Sequence, residues 1–171
     1  HFAKMYDVYG LDISSGMLSC AKQKVPSANF SQQDMTSFRF NQKFDLIFCV
    51  FDSINHLLKF ADWQKVFKLA HKHLNDEGIL IFDMNTIVKL QRVIDTTPGV
   101  RIFGKHVMVM DVTDDSNGIT NWNVRVFEHE GKNQYTLYED NIKEKAFPLH
   151  RVKKGLGQFH KVVVIDAKDK R

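Results

Sequence analysis

Residues 8–17 read Val8-Tyr9-Gly10-Leu11-Asp12-Ile13-Ser14-Ser15-Gly16-Met17, and this stretch decides the fold. Val8–Asp12 is a short apolar run closed by a carboxylate. A helix opens at Ser14 or Ser15, where a hydroxyl can cap the first turn. Carried on to Lys24, that helix would turn Met17, Leu18 and Ala21 inward. Strand, acid and helix in this order make one crossover unit of a parallel sheet.

The rhythm repeats downstream. Asn29–Gln33 reads as a short strand and Phe44–Val50 as a continuous apolar one. Ala61–Leu74 reads as a helix with Asp62 as its N-cap and Trp63, Val66, Phe67, Ala70 and Leu74 on one stripe. Asn75-Asp76-Glu77-Gly78 breaks it, and Ile79–Asp83 is the next buried strand. Strands apolar on both faces and alternating with helices predict a parallel sheet covered on both sides. After Pro98 the pattern changes to three strand-like runs, His106–Thr113, Ile119–His129 and Gln134–Phe147. Asn117-Gly118 and Glu130-Gly131-Lys132-Asn133 supply their turns. Trp122, Val124 and Val126 fall on one face of this meander, Asn123 and Arg125 on the other. Pro148 then starts a short helix, and His160–Ala167 is expected as a last strand.

Composition narrows the class. With 43% hydrophobic and 12% aromatic residues, 171 residues can bury the core of one domain, with or without an appended subdomain. Two cysteines, Cys20 and Cys49, inside apolar-patterned segments fit a reduced, cytoplasmic protein without a disulfide. No charged-then-apolar leader opens the chain, and no apolar run is long enough to span a bilayer. The net charge of +4 comes from lysines scattered along the chain, whereas a nucleic-acid footprint gathers them on one face. His71 and His73, two apart on a helix, point to different faces, and no metal site is expected.

In doubly wound sheets a ligand lies across the carboxyl ends of the strands, so the residues just beyond each strand carry the chemistry. These are Asp12, then Asp34 and Met35, then Phe51, Asp52 and Ser53, then Asn85 and Thr86. A carboxylate ending a strand can accept both hydroxyls of a ribose, or simply cap the next helix. Asp34 could accept from an exocyclic amine. Met35 could pack on a purine face or fill the core. Asn55 and His56 could serve chemistry or only hold the turn after Val50.

In order, GLDISSGML, QDMTSF, FDLIFCVFDSINHL and HLNDEGILIFDMNT resemble the successive motifs of class I S-adenosylmethionine-dependent methyltransferases over about residues 8–86. The meander resembles the sheet insert of a small-molecule subgroup. The resemblance implies an α/β, Rossmann-like, doubly wound and mostly parallel sheet, with an antiparallel insert covering the active site. Residues 1–104 would form the cofactor-binding core, 105–147 the insert, and 148–171 a helix and strand returning to the core. It further implies that Asp12 holds the cofactor's ribose, Asp34 and Met35 its adenine, and Ile13 and Met17 the flanks of the adenosine. Cys49, Val50 and Phe51 would run beside the methionyl portion, with Asp52 to His56 lining the acceptor's entrance. The reaction would turn S-adenosylmethionine into S-adenosylhomocysteine by in-line transfer, with His56 as base where one is needed and Asp52 orienting it.

The expected partner is a small-molecule acceptor, with neither nucleic acid nor membrane. Oligomeric state is not read from the sequence, a homodimer being one option. One departure stands out. The family's glycine-rich loop should precede Val8, yet residues 1–7 contain no glycine and resemble the family's extreme N-terminus. A segment is therefore expected to be missing between Asp7 and Val8. The acid ending the first strand also suits an NAD(P)-dependent oxidoreductase on a related fold, and a degenerate, non-catalytic binding module is the third reading.

Overall fold

The computed structural model describes residues 2–166. A 3₁₀ turn at Phe2–Lys4 leads to β1 (Tyr9–Asp12), α1 (Ser15–Lys24) and β2 (Asn29–Gln32), and β1 and β2 pair in parallel. Ser14 caps α1, its hydroxyl accepting the Met17 N–H at 3.2 Å. The unit recurs as β3 (Phe44–Cys49), a 3₁₀ turn at Ser53–His56, α2 (Phe60–His73) and β4 (Leu74–Phe82), with β3 and β4 again parallel. After α3 (Ile87–Ile94) come β5 (Gly99–Phe103), β6 (His106–Asp114), β7 (Thr120–Gly131) and β8 (Gln134–Glu144), an antiparallel sheet in sequential order. Pro148 opens α4 (Leu149–Gly155). The fold is α/β and Rossmann-like, with an antiparallel sheet added.

The parallel layer, however, is divided. β1–β2 and β3–β4 are separate two-stranded ladders. They approach through aromatic rings at their amino ends, where Tyr9 meets Phe44 edge-on at 5.6 Å and Phe40 at 5.9 Å. α2 covers one face of β3–β4. Its stripe of Trp63, Val66 and Phe67 packs with Ile54, Phe147 and Val152, and Cys49, Leu80 and Phe82 close over that cluster. In a parallel pair, residues in register share a face, so Leu46, Phe48, Ile79 and Ile81 occupy the opposite face, and all four are exposed. The expected cover on both sides is thus present on one. For the same reason α1 buries none of its residues: Met17, expected inward, is exposed.

Several boundaries differ from the sequence reading. Lys59, not Asp62, is the N-cap of α2, and Asp62 lies in the first turn, bonded to Lys65. The break at residues 75–78 survives as a jump in register, Phe44 pairing with Leu74 and Leu46 with Ile79. The meander gains a fourth strand, β5, ahead of the three expected. Residues 161–166 form no strand, and Ala167 lies outside the described residues. An apolar run becomes a strand only against a neighbour's backbone, and Val163 and Ile165 remain exposed. Both hairpin turns fall where expected. Asp115 Oδ1 accepts the N–H groups of Asn117 and Ile119 with Gly118 at φ 67°, while Lys132 and Asn133 both take positive φ, as a tight hairpin turn requires.

Candidate active site

Four strand ends supply the candidate residues. At the end of β1, Asp12 Oδ1 accepts the Ser14 N–H at 2.8 Å, which orders the approach to α1. Asp12 therefore does help to shape the helix start, as its alternative reading allowed, although Ser14 is the cap itself. Beside it, Ile13 and Met17 are 70% and 62% exposed. Apolar side chains this bare, next to a strand-terminal carboxylate, make a surface that a flat heterocycle could cover.

Beyond β2, Asp34 turns on itself. Its Oδ1 takes both the backbone N–H and the hydroxyl of Thr36 at 2.7 Å, and these bonds hold its carboxyl below the usual value. Met35 packs against the core cluster, so it links the strand end to the core. After β3, burial, reinforced by the charge of Asp83, pushes the Cys49 thiol up to about 11 and keeps it neutral. Phe51 and Asp52 follow with φ of 59° and 50°, left-handed values that are uncommon outside glycine. Phe51 is 84% exposed. Asp83 helps to hold this corner: its N–H donates to the Cys49 carbonyl at 3.2 Å, and its Oδ1 accepts the Asp52 N–H at 2.9 Å.

The turn at Ser53–His56 is fastened to two other segments. Fully buried Asn55 accepts the Asn85 N–H at 2.9 Å and donates its amide to the Asn85 and Lys145 carbonyls at 3.0 and 3.1 Å. The Lys145 N–H returns a bond to the Asn55 carbonyl at 2.8 Å. His56 Nδ1 lies 3.3 Å from the Lys143 carbonyl. Asn55 is thus structural, and His56 is exposed at the seam between the turn and β8.

Sequence reasoning missed Glu144. Only 4% exposed, it ends β8, and its Oε2 accepts the Asn85 side-chain amide at 2.8 Å. The same amide nitrogen donates to Asp52 Oδ2 at 2.5 Å. Burial raises the Glu144 pKa, the Asn85 bond opposes this, Asp52 adds to it and His56 works against it. The indole N–H of Trp122 is buried near this carboxyl without a partner in hydrogen-bonding geometry.

Among the donors present, a strand-terminal carboxylate, a second carboxylate near the next strand and bare apolar side chains suit a nucleoside: polar groups for hydroxyls and amine, apolar ones for the base. Residues 1–78 match the family model described as a methyltransferase domain. The chain is 32% identical over 168 residues to the Bacillus subtilis (strain 168) protein named "Putative methyltransferase YqeM", covering 87% of this chain and 68% of that one. Over 84 residues it is 30% identical to the dTDP-3-amino-3,4,6-trideoxy-alpha-D-glucopyranose N,N-dimethyltransferase of Streptomyces venezuelae, covering 48% of this chain and 35% of that enzyme. Among solved structures, an S-adenosylmethionine-dependent methyltransferase from Clostridium acetobutylicum ATCC 824 superposes with a TM-score of 0.83 at 26% identity. That match covers 91% of this chain and 64% of the clostridial one. Streptomyces venezuelae DesVI superposes with a TM-score of 0.78 at 19% identity, over 92% of this chain and 68% of DesVI, a likeness of fold. By sequence and by structure, the chain belongs to the class I S-adenosylmethionine-dependent methyltransferases.

Proposed function

We propose that this chain transfers a methyl group from S-adenosylmethionine to a small-molecule acceptor at the carboxyl ends of β1–β4. The observation that carries this is the order of the strand ends. Asp12 ends β1, Asp34–Met35 lie just beyond β2 and Cys49–Phe51 close β3, in the order of the family motifs. Asp12 would hold the ribose, with Ile13 and Met17 covering the adenosine and Asp34 and Met35 facing the adenine. Cys49, Val50 and Phe51 would flank the methionyl chain. A neutral Cys49 thiol there adds no charge to the site. The bound cofactor supplies an electrophilic methyl on a sulfonium. The chain's own task is then to align an acceptor and to exclude water.

The acceptor would enter between the Asp52–His56 loop and the antiparallel sheet, whose last strand is bonded to that loop. Two kinds of observation favour a small molecule. Relatives include two Streptomyces N,N-dimethyltransferases of dTDP-amino sugars, and the positive charge of this chain is modest and dispersed. Among the described residues no helix is long and apolar enough to cross a membrane. Family membership counts against the oxidoreductase reading, and turnover separates an enzyme from a non-catalytic relative. With a panel of dTDP-amino sugars and tritiated S-adenosylmethionine, label should pass to an acceptor. His56→Ala should lower turnover at least a hundredfold if His56 removes the acceptor's proton, the low end for losing a general base. Unchanged turnover would leave alignment as the whole mechanism.

The same reading places a missing segment between Asp7 and Val8. The Bacillus match runs over 168 residues while using 87% of this chain, about 149 of its residues. Two parallel pairs with no ladder between them are what a Rossmann-like layer lacking one inner strand would leave.

A further inference from the structure

Asn85 is the only described residue bonded through one side-chain nitrogen to two carboxylates, Asp52 Oδ2 at 2.5 Å and Glu144 Oε2 at 2.8 Å. An amide carries two N–H groups, so each acid receives one. The backbone of Asn85 is fixed by Asn55, and Asn55 is in turn bonded to Lys145, next to Glu144. The three segments after β3, β4 and β8 therefore close a ring of hydrogen bonds around one amide. We propose that Glu144 is a positioning residue for the Asp52–His56 loop: its carboxylate orients the Asn85 amide, which holds Asp52 in its left-handed turn and so keeps His56 at the strand ends.

The burial of Glu144 makes this its role. A side chain 4% exposed offers almost no surface to an acceptor, and a buried charged group costs stability unless its bonds are used. Left-handed backbone at Asp52, outside glycine, needs outside support. That support comes from two directions, Asp83 on its N–H and Asn85 on its carboxylate. The groups around Glu144 are Asp52 and His56 from the loop, Asn85 from beyond β4 and the Trp122 indole from β7. The antiparallel sheet thereby sets the geometry of a loop that belongs to the parallel layer.

The inference rests on reading Asp52–His56 as the acceptor loop, and its test is independent of turnover. Amide hydrogen exchange of the full chain is followed for wild type, Glu144→Gln, Glu144→Ala and Asn85→Ala. In Glu144→Ala and Asn85→Ala, exchange at the Asp52 and Asn55 amides should quicken at least tenfold, while the β6–β7 amides keep their wild-type rates. Glu144→Gln retains an acceptor oxygen and should stay within threefold of wild type. Loop protection unchanged in both alanine variants, or a glutamine variant as damaged as alanine, would overturn it. If Glu144→Ala fails to fold, Asn85→Ala against Glu144→Gln carries the same test. Failure of S-adenosylmethionine to bind wild type would instead count against the functional reading while leaving the loop measurement decisive.

Discussion

The antiparallel sheet draws on residues 99–144 and the parallel layer on the longer stretch 9–82, yet the sheet is continuous and the layer divided. β6, β7 and β8 are 9 to 12 residues long and paired almost throughout. Their register is set locally: by Asp115 and Gly118 at one turn, and by Lys132 and Asn133 at the other. The parallel strands are 4 to 9 residues long and paired in twos. A parallel pair gets its register from packing through crossover helices, and two-stranded pieces gain little by themselves. Hairpins carry their own instructions. A parallel layer depends on its middle.

The largest expected effect attacks the divide itself. Inserting a β-strand, a glycine-rich loop and a following helix between Asp7 and Val8 should join the two ladders and lay the helix over their exposed face. Covering Leu46, Phe48, Ile79 and Ile81 is worth roughly 1.5–3 kcal/mol per side chain when complete. Even partial cover should raise the melting temperature by about 10 °C, since 1 kcal/mol moves a domain of this size roughly 2–4 °C. An unchanged melting temperature in calorimetry would leave the halves independent and the missing-segment reading unsupported.

A smaller contrast lies within one ladder. Trp63 on the covered side is fully buried, and Trp63→Ala should cost roughly 3–5 kcal/mol. Ile79→Ala on the exposed face, at a side chain 57% exposed, should cost only about 1 kcal/mol, because much less apolar surface is removed from contact. Urea unfolding of the two variants measures both. Equal losses would mean that the exposed face is covered in solution.

The smallest effect concerns the seam between the two regions. Glu144 has a raised pKa in the folded chain, so the folded state binds its proton more tightly than the unfolded one does. Its destabilising contribution is absent below the ordinary value of 4.5, grows as pH rises through the folded pKa, and is complete above it. Glu144→Gln should therefore melt above wild type at pH 7, and at the same temperature near pH 4. A difference independent of pH would mean that the carboxyl is not penalised.

What the sequence revealed follows the same division. β1, β3, α2 and both hairpin turns were legible because each carries a local signal: a strand-terminal acid, a continuous apolar run, a helical stripe, glycine or asparagine at positive φ. The helix Ile87–Ile94 is too short for its apolar stripe to stand out in the sequence, although Thr86 caps it by accepting the Lys89 N–H at 3.2 Å. Glu144 was illegible for a physical reason. In the run Asn141-Ile142-Lys143-Glu144-Lys145 it looks like one solvated charge among three, and only the return of the chain past Asn85 and Trp122 buries it. The strand expected at His160–Ala167 failed in the opposite way over residues 160–166, having the right composition and no strand pairing among the described residues.

Cofactor binding tests the account most directly. Isothermal titration of S-adenosylmethionine into the chain carrying the inserted segment, against the same chain with Asp12→Ala, isolates the carboxylate at the end of β1. Each charge-assisted bond to a ribose hydroxyl is worth roughly 1.5–3 kcal/mol, so affinity should fall at least tenfold, while the lost Ser14 bond lowers the melting temperature of the apoprotein by only roughly 2–4 °C. Equal affinity in the two chains, or heat from NAD and none from S-adenosylmethionine, would contradict it.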